Sequence, residues 1–270
     1  MLENVNLKRK LSNEEYDRVL PGLQRRLYDL QKTCWDNHVS SMVVFEGWDA
    51  AGKGSVIATV TQRLDPRGFK LHSIHLPRAI EQGYPWLRRF WLQCPEAGEM
   101  AIFDQSWYIR TLEERVEGLV PEKAWRSAFA DILDFERTQA DNGAVLLKFF
   151  LHISRKEQEK RFAKYEADPL EAWRVTKVEW ARHKRYDEYF EAAEEMLDAT
   201  DSAEAPWTVV EATSRRWARV RVLNTIISAL EQRLGDQAPT REASESAAAE
   251  DADVRTAMDT LDEMREAQDA

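Results

Sequence analysis

Only two cysteines occur in 270 residues, Cys34 and Cys94. They lie far apart, without metal-ligand spacing or the density of a disulfide scaffold, so both read as reduced core thiols and no zinc site is expected. The five histidines, His38, His72, His75, His152 and His183, form no HExxH pairing, and no Gly-x-Ser-x-Gly elbow is present, which excludes metalloprotease and α/β-hydrolase chemistry. Apolar runs are all short of the ~20 residues a membrane span needs. The N-terminus, Met1-Leu2-Glu3-Asn4-Val5-Asn6, carries no basic-then-apolar leader. A cytoplasmic protein with no membrane partner is therefore expected. No repeat of solenoid length is visible.

Charge of one sign is also scarce where it matters. The net charge is −10, but residues 236–270 hold 11 acidic and 3 basic residues, so the remaining body is close to neutral at about −2. Nothing here supplies the basic excess that nucleic acid demands. The aromatics Trp86, Phe90 and Trp91 sit at helical spacing and read as core rather than as platforms for stacked bases.

What is present is a β/α alternation. Short apolar segments at 42–46, 71–75, 100–104, 145–151 and 207–211 read as buried strands. Amphipathic stretches near 12–33, 54–64, 84–94, 121–141, 154–165, 177–197 and 214–234 read as helices. The pattern predicts a mostly parallel sheet covered on both faces, in one domain over residues 1–235. Ser12 with Glu15, Ser154 with Glu157, and Thr176 with Glu179 each fit a capping box. Asp168-Pro169 breaks the chain between the last two. The resulting helix, break and helix at about 154–182 is either a lid over the strand ends or a plain helical hairpin. Residues 236–270 form an acidic, low-complexity segment, in which Val254, Met258, Leu261 and Met264 return to a helical period.

The chemistry concentrates after the first strand. In Gly47-Trp48-Asp49-Ala50-Ala51-Gly52-Lys53-Gly54-Ser55, glycines let backbone N–H groups close around an anion at a helix N-terminus while Lys53 adds a point charge. This is a Walker A pattern, except that Gly54 stands where a magnesium-ligating Ser or Thr is usual and Ser55 comes one residue late. Asp49 inside the loop would repel phosphate unless it serves a metal ion or a second substrate. Asp104 ends an apolar strand, the place of a Walker B acid. Arg110 and Glu114 follow it, either as a phosphoryl clamp or as a surface pair. Arg155, Lys156, Lys160 and Arg161 put cations on the candidate lid, suited to phosphates or to a solvated face.

Several of these words, together with Asp65-Pro66-Arg67-Gly68, Phe103-Asp104-Gln105-Ser106-Trp107-Tyr108, Asp134-Phe135-Glu136, Leu151-His152-Ile153-Ser154, Arg161-Phe162 and Ala205-Pro206-Trp207-Thr208-Val209-Val210, resemble the polyphosphate kinase 2 family over about residues 12–234. The resemblance is strongest to one half of its tandem-domain members acting on AMP. It implies a thymidylate-kinase-like P-loop fold with a helical lid. It also implies Mg2+-dependent phosphoryl transfer between inorganic polyphosphate and a nucleoside mono- or diphosphate (AMP/ADP or GMP/GDP), in a homo-oligomer. Gly54 is ordinary within that family. By position, Lys53 holds the transferring phosphate and Asp49 and Asp104 organise Mg2+. Gly47, Ala50, Ala51, Gly52, Gly54 and Ser55 cradle phosphate, Arg110 and Arg161 complete the catalytic set, and Glu114, Arg155, Lys164 and Arg174 serve nucleotide or lid.

Four residues depart from the family pattern. Gln105 stands where an arginine usually follows the Walker B acid, and Tyr165-Glu166 and Glu171 stand where lid cations are usual. A missing cation would be expected to lower the rate, and Gln105→Arg to raise it. An alternative is a weakly active or non-catalytic relative that binds nucleotide or polyphosphate as a partner subunit. A smaller possibility is an ATP-dependent kinase that changed its donor.

Overall fold

A computed structural model describes residues 1–240; the periodic stretch at 254–264 lies outside the described residues. Five strands, β1 (Ser41–Gly47), β2 (Phe69–Ser73), β3 (Met100–Asp104), β4 (Val145–His152) and β5 (Trp207–Glu211), form one sheet in the order β2-β3-β1-β4-β5. Every neighbouring pair is parallel. Four of the five match the apolar segments of the sequence; β2 begins and ends two residues before the expected 71–75, and none of its residues is buried, since it is an edge strand. β1 is central, and its first six residues are buried, as expected of a strand covered on both faces.

Helices α1 (Asn13–Asp36), α2 (Lys53–Thr61), α3 (Arg88–Trp91), α4 (Glu113–Val116), α5 (Glu122–Asp141), α6 (Arg155–Glu166), α7 (Lys177–Lys184), α8 (Tyr186–Thr200) and α9 (Arg215–Leu234) supply the cover. On one side α9 packs on α1, α2, β4 and β5; elsewhere α5 packs on β4 and α8. The core is continuous, from Leu27 and Leu30 on α1 through Val43 and Phe45 to Leu223 and Ile226 on α9, all 0% exposed. No helix of the described residues is long and apolar enough to cross a membrane.

Three local expectations change. The 84–94 helix contracts to the four residues of α3, because Pro85 cannot extend a helix backwards and Pro95 closes the segment. The 177–197 helix is two helices. At Arg185 the backbone leaves the helical region (φ −99°, ψ 21°), and the guanidinium donates to Val116 O and pairs with Glu117 and Glu188. The capping boxes at Ser12 and Thr176 are complete, whereas Ser154 caps Glu157 N at 3.2 Å without the return bond. The Glu157 carboxylate instead pairs with Arg161 at 2.8 Å.

Candidate active site

The parallel order places the C-terminal end of β1 between those of β3 and β4, the crevice where open α/β sheets bind ligands. Gly47 leaves β1 with φ 128°, and a Cβ on it would lie 2.4 Å from Leu151 O of β4. No larger residue fits. The loop then turns through Ala50 (φ 59°) and Gly52 (φ 107°) into α2, whose first N–H groups have no intrahelical acceptor. The Lys53 ammonium folds back across the loop and donates to Gly47 O at 2.9 Å and Trp48 O at 3.4 Å.

The loop is braced from outside. On α6, Gln158 donates to Asp49 O at 3.1 Å. Arg161 donates to Ala50 O and Ala51 O at 2.8 and 3.0 Å, and with its other terminal nitrogen to Ala212 O and Thr213 O at 2.8 and 3.0 Å. The Trp48 indole donates to His152 Nδ1 at 2.7 Å and its ring stacks on Tyr186 at 4.5 Å. Burial pulls His152 down to about 4, so the ring is neutral at neutral pH and keeps the acceptor that Trp48 needs.

Asp49, Gly52, Lys53, Gly54, Ser55 and Asp104 line one cleft of about 580 Å3. Its opposite wall comes from the α6–α7 region, with Lys164, Tyr165, Glu171 and Arg174, and from Arg215 of α9. The structure thus brings together the loop, the strand-end acid and two of the lid cations. Arg174 pairs with Glu171, so the acid at 171 is neutralised locally. Tyr165 accepts from Arg215 at 2.7 Å. Glu166 turns away and accepts from the Trp180 indole at 2.8 Å. Arg155 also points elsewhere, pairing with exposed Asp187 at 3.0 Å. Ser55 Oγ accepts from Arg219 at 2.6 Å, which ties α2 to α9.

Arg110 and Glu114 meet in a second cleft of about 550 Å3, lined also by Tyr84, Trp86 and Arg89. Their ion pair spans 2.9 Å, and the Arg110 guanidinium lies over the Trp86 ring at 5.1 Å. Trp86 is therefore part of a site wall, and Trp91 is 45% exposed; of the three aromatics read as core, Phe90 alone is fully buried. Burial pushes the Glu114 carboxyl up, against the pull of Arg110 and Arg89. The residues between Asp104 and Arg110 connect the two clefts.

The carboxylate Glu46 and the brace residue Gln158 were not singled out from sequence, and Glu113 was read only as a neighbour of Glu114. Glu46 is 3% exposed, with Ser106 Oγ donating to it at 2.8 Å. Burial first, and then the charge of Asp104, raise it from 4.5 to about 7 against the pull of Ser106 and Lys53. The available signal was its place as the one charged residue closing the apolar run Met42–Phe45. Between these two values the folded state holds a proton that the unfolded chain releases, so stability falls as pH rises through the window. The full effect is roughly 3 kcal/mol. Denaturant melts of Glu46→Gln and wild type should show the variant gaining by about that amount between pH 4.5 and pH 8. A gap that stays constant with pH would show that Glu46 does not titrate there.

Among the described residues no group of three or more His, Cys, Asp and Glu could hold a metal ion. Mg2+ does not require one, since it binds through one or two carboxylates, waters and substrate phosphates. Asp49 and Asp104 facing the cleft that Lys53 enters fit that chemistry.

Residues 10–238 match the family model of polyphosphate kinase 2 (PPK2). The polyphosphate:AMP phosphotransferase of Pseudomonas syringae pv. tomato is 42% identical over 233 residues, covering 86% of this chain and 47% of that protein. ADP-polyphosphate phosphotransferase 3 of Rhizobium meliloti is 36% identical over 219 residues, 81% of this chain and 77% of that one. A polyphosphate kinase 2 crystal structure from Pseudomonas aeruginosa PA01 superposes with a TM-score of 0.83 at 38% identity, over 86% of this chain and 50% of that one. The chain spans about half the length of the first relative and of the solved structure. On the match across nearly all of the described residues, this chain belongs to the polyphosphate kinase 2 family.

Proposed function

We propose that this chain transfers a phosphoryl group between inorganic polyphosphate and a nucleotide. The observation that carries the reading is the convergence of Lys53, Asp49 and Asp104 on one cleft, beside a second cleft built around Arg110. The first cleft, with Lys164, Arg174 and Arg215 on its walls, suits a chain of phosphates. The second, with two arginines and the rings of Tyr84 and Trp86, suits a nucleotide. AMP is the first acceptor to test, given the name of the Pseudomonas syringae relative.

In the forward reaction a terminal phosphate oxygen of the nucleotide attacks the end phosphorus of polyphosphate. The new P–O–P bond forms on the nucleotide, and the bond to the next phosphate breaks, leaving polyphosphate one unit shorter. The Lys53 ammonium and the loop N–H groups hold the oxygens whose charge shifts during transfer. Arg110 aligns the acceptor, and Glu114 fixes Arg110. Arg161 shapes the loop, since its terminal nitrogens are committed to backbone carbonyls. Asp49 and Asp104 would hold Mg2+, which supplies charge neutralisation between donor and acceptor phosphates. Residues 167–176 serve as the movable part of the lid. Cytoplasmic location and homo-oligomeric association belong to the same proposal.

Purified protein incubated with Mg2+, polyphosphate and AMP, ADP, GMP or GDP should form the nucleotide with one more phosphate, followed by ion-exchange chromatography. Retained binding of polyphosphate or nucleotide with no product from any acceptor would instead establish the non-catalytic reading, which Gln105 favours.

A further inference from the structure

Beside the phosphate loop, behind the main cleft, is a small cavity of about 50 Å3. Glu46, Asp49 and Glu113 contribute three carboxylates to its wall, and Gln105 faces them. Gln105 sits at φ 60°, a strained conformation for a residue other than glycine. Its amide donates to Glu113 Oε2 at 3.4 Å. Glu46 holds its proton up to about pH 7, but a neutral amide does not balance the carboxylates of Asp49 and Glu113, and Glu113 is only 8% exposed. The cation comes from elsewhere. Arg182 of α7 reaches in, donates through one terminal nitrogen to Glu113 Oε1, and places the other 3.8 Å from Asp49. Its Nε is buried and makes no hydrogen bond to the described residues, so the guanidinium is held there by these carboxylates.

We propose that Arg182 supplies, from α7, the positive charge that position 105 does not carry. It is a positioning residue. Its guanidinium sets the orientation of Asp49 and neutralises Glu113 beside the Asp104–Gln105 end of β3. The cation beside these carboxylates thus sits on a helix that packs over the site rather than on the strand, and the electrostatics of the loop become dependent on docking of α7. Gln105→Arg alone then brings little gain in rate, unlike the gain expected if the cation were simply missing. The assignment rests on the transferase reading, but its geometry can be tested without it.

The test is a double-mutant cycle of Gln105→Arg and Arg182→Gln on the full chain, read both by turnover of polyphosphate with AMP and by thermal melting. Arg182→Gln should lower kcat about 30-fold with little change in nucleotide KM, whereas in the Gln105→Arg background the same change should cost less than about threefold. Arg182→Lys, which keeps the charge, should retain most of the rate. In melting, Arg182→Gln should lower Tm by ~3–8 °C, and Gln105→Arg should restore at least half of that. If wild type turns over, kcat decides: equal fractional losses of kcat in the two backgrounds overturn the proposal. If wild type does not turn over, the transferase reading fails by itself and Tm decides: additive shifts then overturn the role of Arg182, and coupled shifts sustain it.

Discussion

Lys148→Met is expected to lower the free energy of unfolding by about 3–5 kcal/mol, because it strands a carboxylate in the core. Lys148 lies in the middle of β4 and pairs with Glu136 of α5 at 2.8 Å, both side chains being 1% exposed or less. The ammonium also donates to Tyr108 Oη at 2.9 Å and Thr200 O at 2.7 Å. Glu136 accepts from Tyr108 Oη at 2.7 Å and the Trp107 indole at 2.9 Å. Burial pushes Glu136 up and Lys148 down, each opposed by the other's charge. The pair survives because every donor has an acceptor, and removal of one side leaves the desolvation cost of the other uncompensated. Replacing both, as Lys148→Met with Glu136→Leu, should recover much of the loss, though Tyr108 and Trp107 then lose an acceptor. Chemical denaturation of the two single variants and the double variant checks this, and a loss below about 1 kcal/mol in Lys148→Met would mean that Glu136 simply takes up a proton. The network also holds Trp107 and Tyr108, the start of the turn that ends in Arg110, so the same variant should disturb the second cleft.

Lys53→Met should reduce kcat about 10³-fold while leaving unfolding within about 1 kcal/mol of wild type. Methionine matches the reach of lysine but donates nothing. The two carbonyls that Lys53 caps are only partly buried beside an open cleft, so the fold loses little. The transition state loses a cation on the oxygens whose charge rises, in a cleft that limits water. Steady-state turnover with AMP and polyphosphate measures the loss. A reduction of less than tenfold would place the transferring phosphate away from Lys53.

The strands and the loop were legible because each depends on local pattern. A buried parallel strand is a short apolar run, and a phosphate-binding turn needs Gly47 and Gly52 at φ values that other residues avoid. The helix break at Arg185 was not legible, since residues 177–197 keep an unbroken helical period and the break is accompanied by a contact with Val116 O at the end of α4, distant in sequence. The second cleft was half legible. Arg110 and Glu114 fall four apart in sequence, but Trp86 and Arg89 reach them from a segment that reads as a core helix. Arg182 was the least visible of all. It is one of several cations on α7, and what separates it from Lys184 is a carboxylate 69 residues away in sequence. Lys148 shows the converse difficulty: period alone makes β4 apolar, and a lysine inside it has meaning only once Glu136 is placed beside it.

Arg161 welds the phosphate loop to the turn after β5 by four carbonyl contacts, so the first half of α6 and the loop form one stiff body. Swinging α6 away as a whole would strip a buried guanidinium of all four carbonyl acceptors at once, leaving it only Glu157 of its own helix. On the proposed reading, the part of the lid that moves lies farther along the chain, past Phe162, where Leu170 and Trp173 are 83% and 71% exposed. If polyphosphate is the donor, as proposed, a cradle fixed in this way would stay still while the polymer advances one unit at a time, so repeated transfers from one chain would not rebuild the site between them.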